Sequence, residues 1–136
     1  MDILDKYSPT LRKQILLQYR ELMSICIEEY DKKSLALVRK SFDFLLERSD
    51  EDQKINGVHL VGFSTGLALL AVKELGMDAI GVSASLLLHR VKQNHSSIRD
   101  IASGVGDRTA SIIEEFLKIS DLDTSTTHGQ AENIRN

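Results

Sequence analysis

Apolar residues in the first half of the chain recur at spacings of three and four. Leu11, Ile15, Leu22 and Cys26 form one such stripe, with Arg12, Lys13, Arg20 and Glu21 between them. That period marks an amphipathic helix. Ser8 can cap it and Pro9 can occupy its first position, so a helix is predicted from about Pro9 to Tyr30. Asp31-Lys32-Lys33-Ser34 interrupts the pattern. Leu35, Val38, Phe42 and Leu45 restart it and predict a second helix from about Ser34 to Arg48. Ser49 to Lys54 reads as a polar linker, and Asn56-Gly57 as a turn.

From about Val58 to Leu75 the chain is apolar nearly all round, the pattern of a helix in the middle of a bundle. Gly62 and Gly66 share one face and would admit a neighbouring backbone. Gly76 ends the helix as a left-handed cap. Asp78 can cap a fourth helix, about Ala79 to Lys92. Buried strands are the alternative for Leu67–Leu70 and Leu86–Leu88, but segment length and the scarcity of β-branched residues favour helix. Ser97 with Asp100 approaches a capping box, followed by Ile98, Ile101 and Val105 on one face. Gly104 and Gly106 close that short helix. Asp107 can cap the next, which carries Ile112, Ile113, Phe116 and Leu117 as its stripe. Asp121 to Gly129 is polar and reads as a loop. Gln130 to Asn136 begins something helical and stops without a cap, as a fragment of a longer polypeptide would. The pattern as a whole predicts an all-α bundle of about six helices.

Composition narrows the function classes. With 136 residues, 42% hydrophobic and 27% charged, the chain is one ordinary globular domain. A net charge of −3 and no basic block argue against a nucleic-acid surface. The uncharged stretch Val58 to Val72 falls short of the ~20 residues of a membrane-spanning helix. Met1 to Asp5 holds two aspartates and no basic segment, unlike a secretory signal. The single cysteine, Cys26, excludes an internal disulfide and a cysteine-cluster zinc site, and suits a reducing compartment. A cytoplasmic location is the expectation.

Little in the residue types suggests chemistry. His59, His89, His95 and His128 show no HxxxH or HExxH spacing. Glu28-Glu29, Asp50-Glu51-Asp52 and Glu114-Glu115 are sequence neighbours, which point about 100° apart on a helix and form no acid/base dyad. Gly104-Val105-Gly106 lacks the Lys-Ser/Thr of a phosphate loop. Ser64, Ser83 and Ser85 have no nucleophile-elbow context. Cys26 lies on an apolar face and reads as core. His89 follows Leu86-Leu87-Leu88 and precedes Arg90; by itself it reads as a satisfied histidine near the core.

The order of three segments is more telling. LALLAVKELGMDAIGVSASLLLHRV resembles the part of the RelA/SpoT family of (p)ppGpp synthetases and hydrolases that runs helix, ELGMD, helix, LLHD. SSIRDIASGVGDRTASIIEEFLKIS is similar to that family's next two helices, and QAENIR to a stretch after a variable loop. The resemblance covers roughly Ile55 to Asn136. It implies residues 1–122 as an HD-type hydrolase-like domain, with leading helices over 1–54 and the HD-like core over 55–122. Residues 123–136 would be a loop and the start of a truncated helix.

The same resemblance implies a lost active site. The family's hydrolase holds manganese through a first His, a His-Asp pair and a later Asp, and the metal activates water against the 3′-pyrophosphate of (p)ppGpp. The first His falls on Ser64, twelve residues before Gly76. The second is His89, but its Asp partner is Arg90. The Glu-Asp pair that works on the water falls on Gln93 and Asn94. The arginine that clamps the base falls near Ile55 or Asn56, and the last ligand beyond Asn136. No bound metal or other cofactor is therefore expected. The implied role is a catalytically inactive regulatory domain at the N-terminus of a GTP pyrophosphokinase, with the downstream synthetase domain as its partner and no nucleic acid or membrane. Three alternatives stand beside it. Arg90 could hold a phosphate of (p)ppGpp or GTP, in competition with pairing to a carboxylate or reaching solvent. The chain could be a metal phosphohydrolase using unrecognised ligands. Uncovered apolar surface could make it self-associate.

Overall fold

The computed structural model describes residues 3–120. A 3-10 turn, Ile3–Lys6, leads into α1 (Pro9–Glu29) and α2 (Lys32–Arg48). Two short strands follow, β1 (Lys54–Ile55) and β2 (Val58–His59), then α3 (Leu60–Lys73), α4 (Ala79–Lys92), α5 (Ile98–Gly104) and α6 over 107–120. The fold is the expected all-α bundle, with Leu67–Leu70 and Leu86–Leu88 inside helices and not strands. The segment assigned from sequence to a loop and a truncated helix, 123–136, lies outside the described residues.

Local chemistry sets most boundaries. The Ser8 hydroxyl accepts from Leu11 N–H ahead of Pro9, and Asp78 Oδ1 from Gly81 N–H ahead of α4. Ser97 and Asp100 form the reciprocal capping box of α5. Each satisfies an amide that would otherwise lack a partner in the first turn. Gly76 takes φ 58°, the left-handed geometry that lets the chain leave α3.

Four expectations need correction. The second helix begins at Lys32, two residues earlier than the hydrophobic pattern suggests, because Asp31 Oδ1 accepts from Ser34 N–H and makes Asp31 the cap. The third begins at Leu60, because Val58 and His59 pair with Lys54 and Ile55 across the Asn56-Gly57 turn, where both residues have positive φ. Asp107 lies inside α6: Gly106 carbonyl accepts from Ala110 N–H and starts that helix. No neighbouring backbone is what stands nearest to Gly62 or Gly66. A Cβ on Gly62 would meet the His59 ring, and one on Gly66 would meet open space.

α3 packs on α1 and α4, and α4 packs on α2 and α3. The core is built from Ile15, Leu22, Phe42, Leu45, Leu86 and Leu87, with Ile101 and Ile113 from the last two helices. Burying each such side chain contributes about 1.5–3 kcal/mol. Tyr19 of α1 meets Phe42 of α2 with ring centroids 4.6 Å apart. Buried hydroxyls cross the same core: Ser41 bonds Ser83, and Ser83 bonds Thr109 at 3.0 Å, tying α2, α4 and α6. Tyr7 closes the bottom, its hydroxyl 2.8 and 2.9 Å from the carbonyl oxygens of Leu46 and Ser49.

Candidate functional site

The α3–α4 pair carries the residues singled out from the sequence. Ser64 of α3 is fully buried, and its hydroxyl has no hydrogen-bond partner among the described residues. A hydroxyl stripped of water without a partner is a local loss, not a gain. His89 lies on α4 beside Phe63 of α3, ring centroids 4.9 Å apart and edge to face. Burial, and after it the charge of Lys92, pull its pKa below the usual histidine value. Folding thus favours the neutral ring.

Arg90, the next residue, is only 3% exposed. Its Nε donates to the Ser96 hydroxyl at 2.9 Å, and Nη1 to the Ser49 hydroxyl at 2.8 Å and to Gln53 Oε1 at 3.3 Å. Nη2 donates to the His95 carbonyl at 3.1 Å. The Arg90 carbonyl accepts in turn from the amides of His95 and Ser96. Every acceptor is neutral. The ion pairs among the described residues are Arg12–Asp5 and Lys73–Glu21, so no carboxylate touches this guanidinium. Both sequence-based expectations for the side chain, pairing with a carboxylate or reaching solvent, are therefore corrected.

Burial and then the nearby Arg48 charge pull Arg90 below the usual arginine value, while Tyr7, Asp50 and Asp100 pull it back. An arginine remains charged through such a shift. The site is a buried cation solvated by protein oxygens, which join the α2–β1 loop to the α4–α5 loop.

Gln93 and Asn94 sit at the rim. Gln93 follows the end of α4, and its Nε2 donates to the Lys54 carbonyl at 3.4 Å. Asn94 is exposed at φ 64°, a left-handed turn position that asparagine tolerates. The structure thus gathers Arg90 and Gln93 around the α2–β1 segment, whereas Ser64 is sealed in the core. Sequence reading missed Ser49, Gln53 and Ser96 as partners of Arg90. Ser49 and Gln53 lie 41 and 37 residues from Arg90, and no local pattern joins them.

This donor set does not fit a manganese ion. Ser64 offers an un-ionised hydroxyl, His89 a ring packed on Phe63, and Arg90 a fixed positive charge one residue on. Among the described residues no group of three or more His, Cys, Asp or Glu is placed to hold a metal. No described helix is long and apolar enough to cross a membrane.

The chain is similar to a probable guanosine-3′,5′-bis(diphosphate) 3′-pyrophosphohydrolase of Synechocystis sp., with 30% identity over 100 residues. The match takes in 73% of this chain and 13% of that protein, so the chain corresponds to a small part of its relative. No protein-family model matches it. No solved structure matches it either.

Proposed function

We propose that this chain is a catalytically inactive (p)ppGpp-hydrolase-like domain of a RelA/SpoT-type polypeptide, acting as a regulatory module in (p)ppGpp metabolism. The similarity to the Synechocystis protein supports the family and the metabolic setting. One observation carries the inactivity. Where the resemblance puts a metal-binding aspartate, Arg90 is buried and spends its N–H groups on Ser49, Gln53, His95 and Ser96. An arginine offers no ligand at that position, so the metal that would generate the nucleophilic water loses a carboxylate donor. The domain's contribution is then conformational: its packed helices bias a downstream synthetase domain of the same polypeptide, a GTP pyrophosphokinase.

The test is elemental mass spectrometry of the purified chain with a ppGpp hydrolysis assay in added Mn²⁺ on the same folded sample. The expected result is no stoichiometric metal and no turnover. Bound Mn²⁺, Fe²⁺ or Zn²⁺ with turnover would overturn the reading in favour of a phosphohydrolase with other ligands. A melting-temperature titration with ppGpp and GTP separates the remaining alternative. A flat titration is expected, because Arg90 is already engaged; a rise would mean a nucleotide-binding module.

A further inference from the structure

The start of α3 is capped in an unusual way. Helix N-termini are ordinarily capped by the oxygen of Ser, Thr, Asp or Asn. Here the cap is an imidazole: His59 Nδ1 accepts from Gly62 N–H at 2.8 Å. The acceptor role leaves Nδ1 without a proton, so the proton sits on Nε2, which faces Gln14 Oε1 of α1 at 3.4 Å. The ring lies directly on Gly62, where a Cβ would come within 2.3 Å of its Cε1. Gln18 of α1 then donates to the Gly62 carbonyl at 3.2 Å. One imidazole thus joins β2, the first turn of α3 and the flank of α1.

We propose that His59 is a pH-sensitive clasp, holding the β1–β2 hairpin to α3 and α1 only while its imidazole is neutral.

Protonation would act at three points together. Nδ1 gains a hydrogen and can no longer accept, so Gly62 N–H loses its partner. A positive charge appears at a helix N-terminus, where the macrodipole is already positive. Gly62 offers no side chain to refill the space if the ring swings away. The charged surroundings divide. Glu51 of the α2–β1 loop favours the imidazolium, and Lys54, which pairs with His59 across the hairpin, opposes it. Asp52 lines the same cleft. From α1 the cleft receives only uncharged groups, Thr10, Leu11 and Gln14, and Ser8 stands just ahead of it. Glu51 is in part committed elsewhere, its Oε1 accepting from Ser8 N–H at 3.1 Å. Burial is the largest influence on His59 and lowers its pKa from the usual value. The clasp is therefore fully closed above about pH 6.5, weakens as the pH falls below that, and is open once the pH has passed the folded-state pKa.

The experiment uses the 136-residue chain, its H59N variant and NMR between pH 8 and 5. Hydrogen exchange at Gly62, corrected for the intrinsic rate, should accelerate roughly tenfold across that range in the wild type, the scale of a lost helix cap. The amide of Leu86, in the core of α4, should not follow it. In H59N the asparagine oxygen caps at every pH, and the step should vanish. Imidazole ¹⁵N shifts at pH 8 should show the Nε2–H tautomer. A Gly62 amide with no pH step, the same step in H59N, or an Nδ1–H tautomer would each overturn the proposal. The tautomer is read on the wild type alone, so the test survives if H59N fails to fold.

Discussion

Arg90 Nη1 donates to the hydroxyl of Ser49 at 2.8 Å, across 41 residues of sequence. The Ser49 carbonyl in turn lies 2.9 Å from the hydroxyl of Tyr7. A chain of hydrogen bonds thus runs from the entry to α1, through the end of α2, to the end of α4. Its charged member has no carboxylate partner among the described residues, so its solvation depends on the positions of these neutral oxygens. Removing one side of such a buried arrangement leaves the rest unpaired, which is far more damaging than the net worth of the bonds.

Arg90→Met should therefore destabilise the chain by about 2–4 kcal/mol, with the apolar stem replaced and the donors lost. Arg90→Lys should fall between, because one ammonium cannot reach donors' partners spread over both loops. Urea denaturation midpoints measure both. A midpoint for Arg90→Met equal to wild type would mean that the network contributes nothing.

Ser64 calls for the opposite substitution. Its buried hydroxyl has no partner among the described residues, so Ser64→Ala should leave stability unchanged or raise it by up to about 1 kcal/mol. The same urea titration reads this. A loss above that size would reveal a partner for the hydroxyl, such as a buried water.

Two helical glycines should respond with opposite signs. A Cβ on Gly66 meets nothing within 4 Å, and Gly66→Ala should stabilise by about 0.5–1 kcal/mol through helix propensity. A Cβ on Gly104 would come 2.5 Å from Phe44 Cε2, in a ring that is buried and covered by Arg48. Gly104→Ala should destabilise by about 1–3 kcal/mol. Thermal melts of the two variants side by side check the sign of each.

Cys26 is fully buried, and burial pushes its thiol up to about 11. Iodoacetamide at pH 8 should label the native chain about a hundredfold more slowly than the urea-unfolded chain, since the thiolate is the reactive form. Comparable rates would place the thiol at the surface.

His89 contributes to acid sensitivity separately from His59. Its folded pKa is lowered, so its neutral form is favoured by folding. The linked stability is complete above about pH 6.5 and declines as the pH falls from there through the folded value. His89→Leu should lose less stability than wild type between pH 7.5 and pH 5, measured as the difference in urea midpoint. An equal loss would assign the acid limb to other groups.

The sequence by itself determined the helices, because their causes are local. The caps Ser8, Asp78 and Ser97 each act on the amide three residues on, and the apolar period of each segment names its buried face. The same locality explains the errors at the α2 and α3 starts. Asp31 falls in a polar break of the hydrophobic pattern, although its carboxylate is what begins α2. Val58 and His59 continue an apolar run, and only pairing with β1 removes them from α3. Ser64, Arg90, Gln93 and Asn94 are also legible in the sequence, as the positions at which the family resemblance implies a site. The tertiary structure alone decided what those residues do. The fate of a guanidinium depends on which oxygens surround it, and Ser49, Gln53, His95 and Ser96 reach Arg90 only after two loops have folded together. An imidazole caps a helix only where a glycine and a neighbouring α1 leave room and a partner for it, as Gly62 and Gln14 do for His59. Hydrophobic period carries no trace of either arrangement, since both are polar contacts made across the fold.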